Sequence, residues 1–121
     1  MDGNPAPQAR ETLLAEADAA FQAGRVLEAM ESYQALLADD PKNVALLNRA
    51  GYAAAMLDNK EKAFAFHEKA MALAPLDYFA YYRLGCCYVA ERNPGQGERY
   101  LLNALRLKPN SRRVIERLAF V

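Results

Sequence analysis

Apolar and small residues return along this chain three and four positions apart, in stretches broken by short polar turns. Leu13, Ala17 and Ala20 have that spacing, as do Leu47, Gly51 and Ala54, and again Tyr81, Gly85 and Tyr88. A period of three to four puts each set on one face of a helix. Gly24, Asp58-Asn59 and Asn93-Pro94 fall between the stretches, where a chain reversal needs turn residues. The pattern predicts helices near 10–23, 26–39, 44–57, 60–73, 78–91 and 94–107, with a seventh over 111–120. Asn93 followed by Pro94 reads as an N-cap and a first helical residue.

The pattern is also periodic on a longer scale. Pro41, Pro75 and Pro109 are 34 residues apart, and the phrases around them stack as LLADDPKN, MALAPLD and LRLKPNS. Three units follow, 10–43, 44–77 and 78–111, preceded by a flexible N-terminus over 1–9 and followed by a capping helix over 112–121. A small residue recurs at Ala29, Ala63 and Gly97, and a larger one four positions later at Tyr33, His67 and Leu101. Small side chains let two antiparallel helices approach closely, and large neighbours fill the gaps between them. Ile115, Leu118 and Ala119 begin a fourth unit and cover the last apolar face, as a terminal repeat must.

On these residues the chain resembles the tetratricopeptide repeat family, whose 34-residue unit is a helix–turn–helix. The third unit carries the pattern best, with Tyr81, Leu84, Gly85, Tyr88, Ala104 and Pro109. The second supplies Leu47, Gly51, Ala63, Ala70 and Pro75, with His67 in an aromatic place. The first has Glu16 where leucine is expected but keeps Ala29, Tyr33 and Pro41. The resemblance implies an all-α, right-handed α-solenoid of three units plus a capping helix, with the first helix of each unit lining a concave groove. Carried onto this chain, the ligand-facing places are Leu14 and Asp18, then Asn48, Arg49, Tyr52 and Met56, then Phe79, Tyr82, Arg83 and Cys86. Phe21, Gln22 and Val89 fall at further places of the same set, with Phe21 expected to pack between neighbouring first helices. Tyr82, Phe79 and Tyr52 are the expected anchors, and Arg49 and Arg83 the expected grips on a carbonyl or carboxylate. The carboxylate clamp of chaperone-cofactor members would fall on Leu14, Asp18, Arg49, Phe79 and Arg83. Only Arg83 keeps the family's residue type, so no such clamp is expected.

Composition narrows the function without changing the fold. Alanine (24) and leucine (16) far outnumber valine, isoleucine and threonine (seven together), which favours helix over sheet. Fifteen basic residues balance fifteen acidic ones, so no overall charge draws the chain to nucleic acid. The balance hides a gradient: residues 1–77 hold 7 basic against 12 acidic side chains, and residues 78–121 hold 8 against 3. Head-to-tail association of copies, through these charged ends or the C-terminal helix, is one reading of it. No apolar run approaches the roughly 20 residues of a membrane span, and residues 1–10 lack the apolar stretch of a secretory signal.

Chemistry-bearing residues are scarce. Cys86 and Cys87 are adjacent on one predicted helix, where a mutual disulfide would distort the backbone, and free thiols fit the cytoplasm. The only histidine, His67, falls at a core position, so no metal site is expected. Gly95 and Gly97 lack the strand and lysine–hydroxyl pair of a phosphate loop, and no hydroxyl stands beside a base. The expectation is a cytoplasmic, non-enzymatic protein-interaction module without cofactor. It binds a partner's peptide or helix, with no nucleic acid and no membrane insertion. A dedicated chaperone of a bacterial secretion or pilus substrate, and a self-assembling scaffold, are the alternatives.

Overall fold

The structure, a computed structural model, describes residues 7–121. Among them are seven helices and no strand: α1 (Pro7–Gln22), α2 (Val26–Asp39), α3 (Val44–Met56), α4 (Lys60–Leu73), α5 (Tyr78–Ala90), α6 (Pro94–Leu107) and α7 (Arg112–Leu118). Helices α1 and α2, α3 and α4, and α5 and α6 form antiparallel pairs, and each pair packs on the next through α2–α3 and α4–α5. α7 closes the series on α6. This one-dimensional stacking is an α-solenoid, in which each unit buries its apolar face against its neighbours. The boundaries depart from expectation at both ends. Residues 7–9, expected within a flexible terminus, are already helical, while 1–6 lie outside the described residues. At the other end α7 is shorter than 111–120, because Ser111 is its N-cap, its hydroxyl accepting from the Val114 N–H at 3.4 Å.

The joints repeat with the sequence period. Gly24, Asp58 and Arg92, each 34 residues after the last, turn the chain within a unit at φ 87°, 58° and 61°. Two of the three are not glycine, although a left-handed backbone costs such residues about 1–2 kcal/mol. Between units, Asp40, Ala74 and Lys108 end α2, α4 and α6 at φ −137°, −136° and −139°. Asn43 and Asp77 then open the following helices, accepting from Leu46 N–H and Phe79 N–H at 3.1 Å in each case.

Inside each pair, small residues set the spacing. A methyl group at Gly97 would stand 2.6 Å from Val89 Cγ2, 3.1 Å from the Gly85 carbonyl and 3.3 Å from the Val89 nitrogen. Two of those neighbours are backbone, so α5 and α6 would have to part. Gly97→Ala should therefore lower stability by about 1–3 kcal/mol in denaturant titration. Gly95→Ala, where nothing lies within 4 Å, should not destabilise. An equal response at both glycines would show that helix propensity, not close approach, governs the site.

One register position is filled three ways. In the first unit the Tyr33 hydroxyl donates to Asp18. In the second, Asn48 Oδ1 accepts from His67 Nδ1–H at 3.0 Å. In the third, Leu101 packs without a polar partner over Gly85. The core correspondingly divides into a cluster through the first two units, ending at Ala80 and Cys87, and a smaller one of Tyr82, Leu101, Ala104 and Val114.

Candidate functional site

Helices α1, α3 and α5 are the first helices of their units, and α3 touches α5 directly. The α1–α3 side holds a depression of about 250 Å³ lined by Asp18, Phe21, Gln22, Tyr33, Arg49 and Tyr52. The α3–α5 side holds one of about 310 Å³ lined by Ala45, Asn48, Arg49, Tyr52, Asp77 and Phe79. Arg49 and Tyr52 line both, so the two are one groove with a shared ridge on α3. Ala45 and Asp77 were not expected to line it. Asp77 belongs to a turn and is signalled only by its N-cap place.

Each side chain of the groove is fixed by its neighbours. Phe21 meets Tyr52 edge to face at 5.2 Å between ring centroids, packing between first helices. Asp18 accepts from Tyr33 and pairs with Arg49 at 3.3 Å, so the Arg49 charge is answered within the groove and is not a free grip. Burial and the hydrogen bond to Asp18 hold the Tyr33 hydroxyl well above the usual tyrosine range, which keeps it a neutral donor. Asn48, expected at the surface, is buried because its amide is committed to His67.

Two expected anchors also lie deeper than sequence spacing suggests. Arg83 is only 9% exposed, and its guanidinium carbon sits 4.1 Å above the Tyr52 ring. It pairs with no carboxylate among the described residues, and its Nε has no hydrogen-bond partner. Tyr82 is 7% exposed because α7 crosses the end of the groove. The Arg113 guanidinium lies 5.9 Å from the Tyr82 ring centroid and 5.5 Å from that of Phe79. Arg117 approaches Tyr82 and Cys86 from the same helix. The charge run at 106–117 was the available signal, but no spacing rule says which helix it crosses.

The remaining expected residues are dispersed. Leu14 borders a depression of about 450 Å³ at the start of the first unit, with Arg10, Glu11 and Asp39 among its walls. Met56 is 59% exposed and stands with Leu27 and Leu57 around a shallow depression at the ends of α2 and α3. Cys86 and Cys87 are both free thiols, and burial pushes the Cys87 thiol up. Among the described residues no group of three His, Cys, Asp or Glu could hold a metal ion, and no helix is long and apolar enough to cross a membrane.

Residues 80–111 match the family model described as tetratricopeptide repeat. No curated protein matches the chain by sequence. Solved structures share the whole architecture. The first tetratricopeptide domain of Spaghetti (RPAP3), bound to the HSP90 peptide SRMEEVD, is 23% identical with a TM-score of 0.85, over 95% of this chain and 91% of that one. The type III secretion translocator chaperone SycD of Yersinia enterocolitica is 17% identical with a TM-score of 0.88, over 96% and 92%. The O-GlcNAc transferase of Thermobaculum terrenum is 27% identical with a TM-score of 0.86, over 97% of this chain but only 23% of that one. The fold is therefore that of tetratricopeptide-repeat domains.

Proposed function

We propose that this chain is a non-enzymatic protein-interaction module that holds a peptide or helix of a partner protein in the groove formed by α1, α3 and α5. The observation that carries the reading is Arg83: a residue only 9% exposed, its guanidinium laid on Tyr52 and its buried Nε without a partner, and with no ion pair among the described residues. A cation taken out of water is costly unless a counter-charge or carbonyls answer it. An incoming segment supplies that group, while its apolar side chains fill the space between Phe21, Tyr52 and Phe79. Rigid aromatics with arginine are the residue types that concentrate binding energy. Most polar side chains of the groove are already engaged with one another: Asp18 with Tyr33 and Arg49, Asn48 with His67, and Asp77 with the backbone of its own helix. Free thiols at Cys86 and Cys87 suit work in the cytoplasm.

Peptide recognition by the Spaghetti domain supports the general mode but not the same ligand. Here the first clamp place is Leu14, and the second, Asp18, is held by Tyr33 and Arg49. The shared architecture with SycD supports a second reading, in which the groove shelters an apolar segment of a client. Partners captured from the native host separate the two, because a chaperone's client should be insoluble without it. Tyr52→Ala should weaken the captured partner by about 1–3 kcal/mol, roughly tenfold or more in Kd, by calorimetric titration. The α3 helix should keep its circular-dichroism signal, because Tyr52 is 38% exposed. A partner held equally by this variant would move recognition away from the groove.

A further inference from the structure

An arginine recurs along the groove with the period of the units. Arg49, Arg83 and Arg117 stand 34 residues apart on α3, α5 and α7, and so do Asp18, Tyr52 and Cys86 on α1, α3 and α5. Each arginine reaches back to the member of the second series on the preceding first helix. Arg49 meets the Asp18 carboxylate at 3.3 Å, Arg83 lies 4.1 Å above the Tyr52 ring, and Arg117 approaches Cys86 and Tyr82. One contact is thus made three times, with a different answer to the charge at each step. Only the first answer is a carboxylate. An aromatic face attracts a guanidinium through its quadrupole but leaves the positive charge uncancelled, and a thiol is a weak acceptor.

A further cation stands at the same end. The Arg113 guanidinium lies 5.5 Å from the Phe79 ring centroid and 5.9 Å from that of Tyr82. None of Arg83, Arg113 and Arg117 has an ion pair among the described residues. The carboxylates of α5, α7 and their caps are taken up elsewhere: Asp77 by the Phe79 N–H, Glu91 by Lys60 and Glu116 by Arg112. The groove therefore changes character along its length, balanced between α1 and α3 and cationic between α5 and α7.

We propose that the segment held in the groove is acidic toward one end, its side-chain carboxylates lying on Arg83, Arg113 and Arg117 and its apolar side chains on Phe21 and Tyr52. This rests on the reading of the groove as a peptide site and adds a ligand chemistry and a direction to it. The arginines come from successive first helices and from α7, an arrangement that suits carboxylates spread along a segment. Rings already hold two of the guanidiniums in place, so little side-chain freedom is lost when a carboxylate arrives. A basic segment meets like charge at the same end and is rejected.

Selection on the whole chain from a random-peptide library, tethered through its C-terminus so that no free terminal carboxylate is offered, tests this. Recovered peptides should be rich in aspartate and glutamate toward one end and in apolar residues toward the other. Such a peptide should bind Arg113→Gln/Arg117→Gln about tenfold or more weakly, and high salt should weaken its hold on the wild type. Both arginines are exposed, so the circular-dichroism signal should be unchanged. Arg106→Gln, an exposed charge on α6 beside Asn103, should bind as the wild type does. Peptides that require Tyr52 but show no acidic preference would overturn this inference and leave the groove reading standing. Acidic peptides indifferent to the double variant would overturn it too. No recovered peptide, or peptides that bind Tyr52→Ala as tightly as the wild type, would overturn the groove reading and this inference with it.

Discussion

Leu101→Ala should lower the unfolding free energy by about 2–5 kcal/mol, the range for deleting a fully buried leucine side chain. Leu101 has no solvent exposure, and its Cγ lies where a methyl group on Gly85 would be only 2.6 Å away. The glycine therefore receives the leucine directly, helix against helix. Alanine at 101 leaves that hollow open, because α5 and α6 are already held at close range by Gly97 against the Gly85 carbonyl. Leu101 also shares its cluster with Tyr82, Ala104 and Val114, the last of these the buried residue of α7. The damage should be local in a solenoid whose units interact only with neighbours. Hydrogen exchange should quicken across α5, α6 and α7 before it does in α1. A loss below about 1 kcal/mol in urea titration, with an unchanged m-value, would show that the site collapses around the smaller side chain.

The second large effect is a dependence on acid. His67 is buried, beside the positive charge of Arg83, and these push its pKa from 6.5 down to about 3. Its Nε2 has no partner, so the neutral ring is the form the core accepts. The unfolded chain then binds a proton that the folded chain refuses between pH 6.5 and about 3. Stability is complete above that window and falls as the solution is acidified through it. The loss by pH 5 should be roughly 2 kcal/mol, since each unit of pKa difference carries about 1.4 kcal/mol. His67 is the only histidine, the side chain whose ordinary pKa falls in this window. His67→Phe should flatten the slope between pH 7 and 5 whatever it does to absolute stability. A slope unchanged in that variant would place the titration elsewhere.

The architecture was largely legible in the letters. Three prolines and a small-residue rhythm at a spacing of 34 located six helices to within a few residues, because the repeat fixes turns and close approaches by local chemistry. The groove was legible only as a face. Arg49, Tyr52 and Phe79 do line it, but Arg83 is stacked on the Tyr52 ring and Tyr82 lies against Arg113 of α7. Spacing says which side of a helix a residue occupies and nothing about how far a long side chain reaches across to its neighbour. The Asn48–His67 hydrogen bond was hidden for the same reason: its members lie 19 residues apart, and each alone reads as ordinary. Met56 illustrates the opposite error, since the last turn of α3 carries it past the groove to the turn end.

The near-identical joints at Asp40, Ala74 and Lys108 have a bearing on how such a chain can change over generations. They fix how each unit sits on the next through backbone geometry and small core residues, none of which faces the groove. Side chains at the groove can thus be exchanged without disturbing the curvature that presents them. That separation accounts for a chain whose 34-residue rhythm is plain in its turns and core and absent from Asp18, Tyr52 and Phe79.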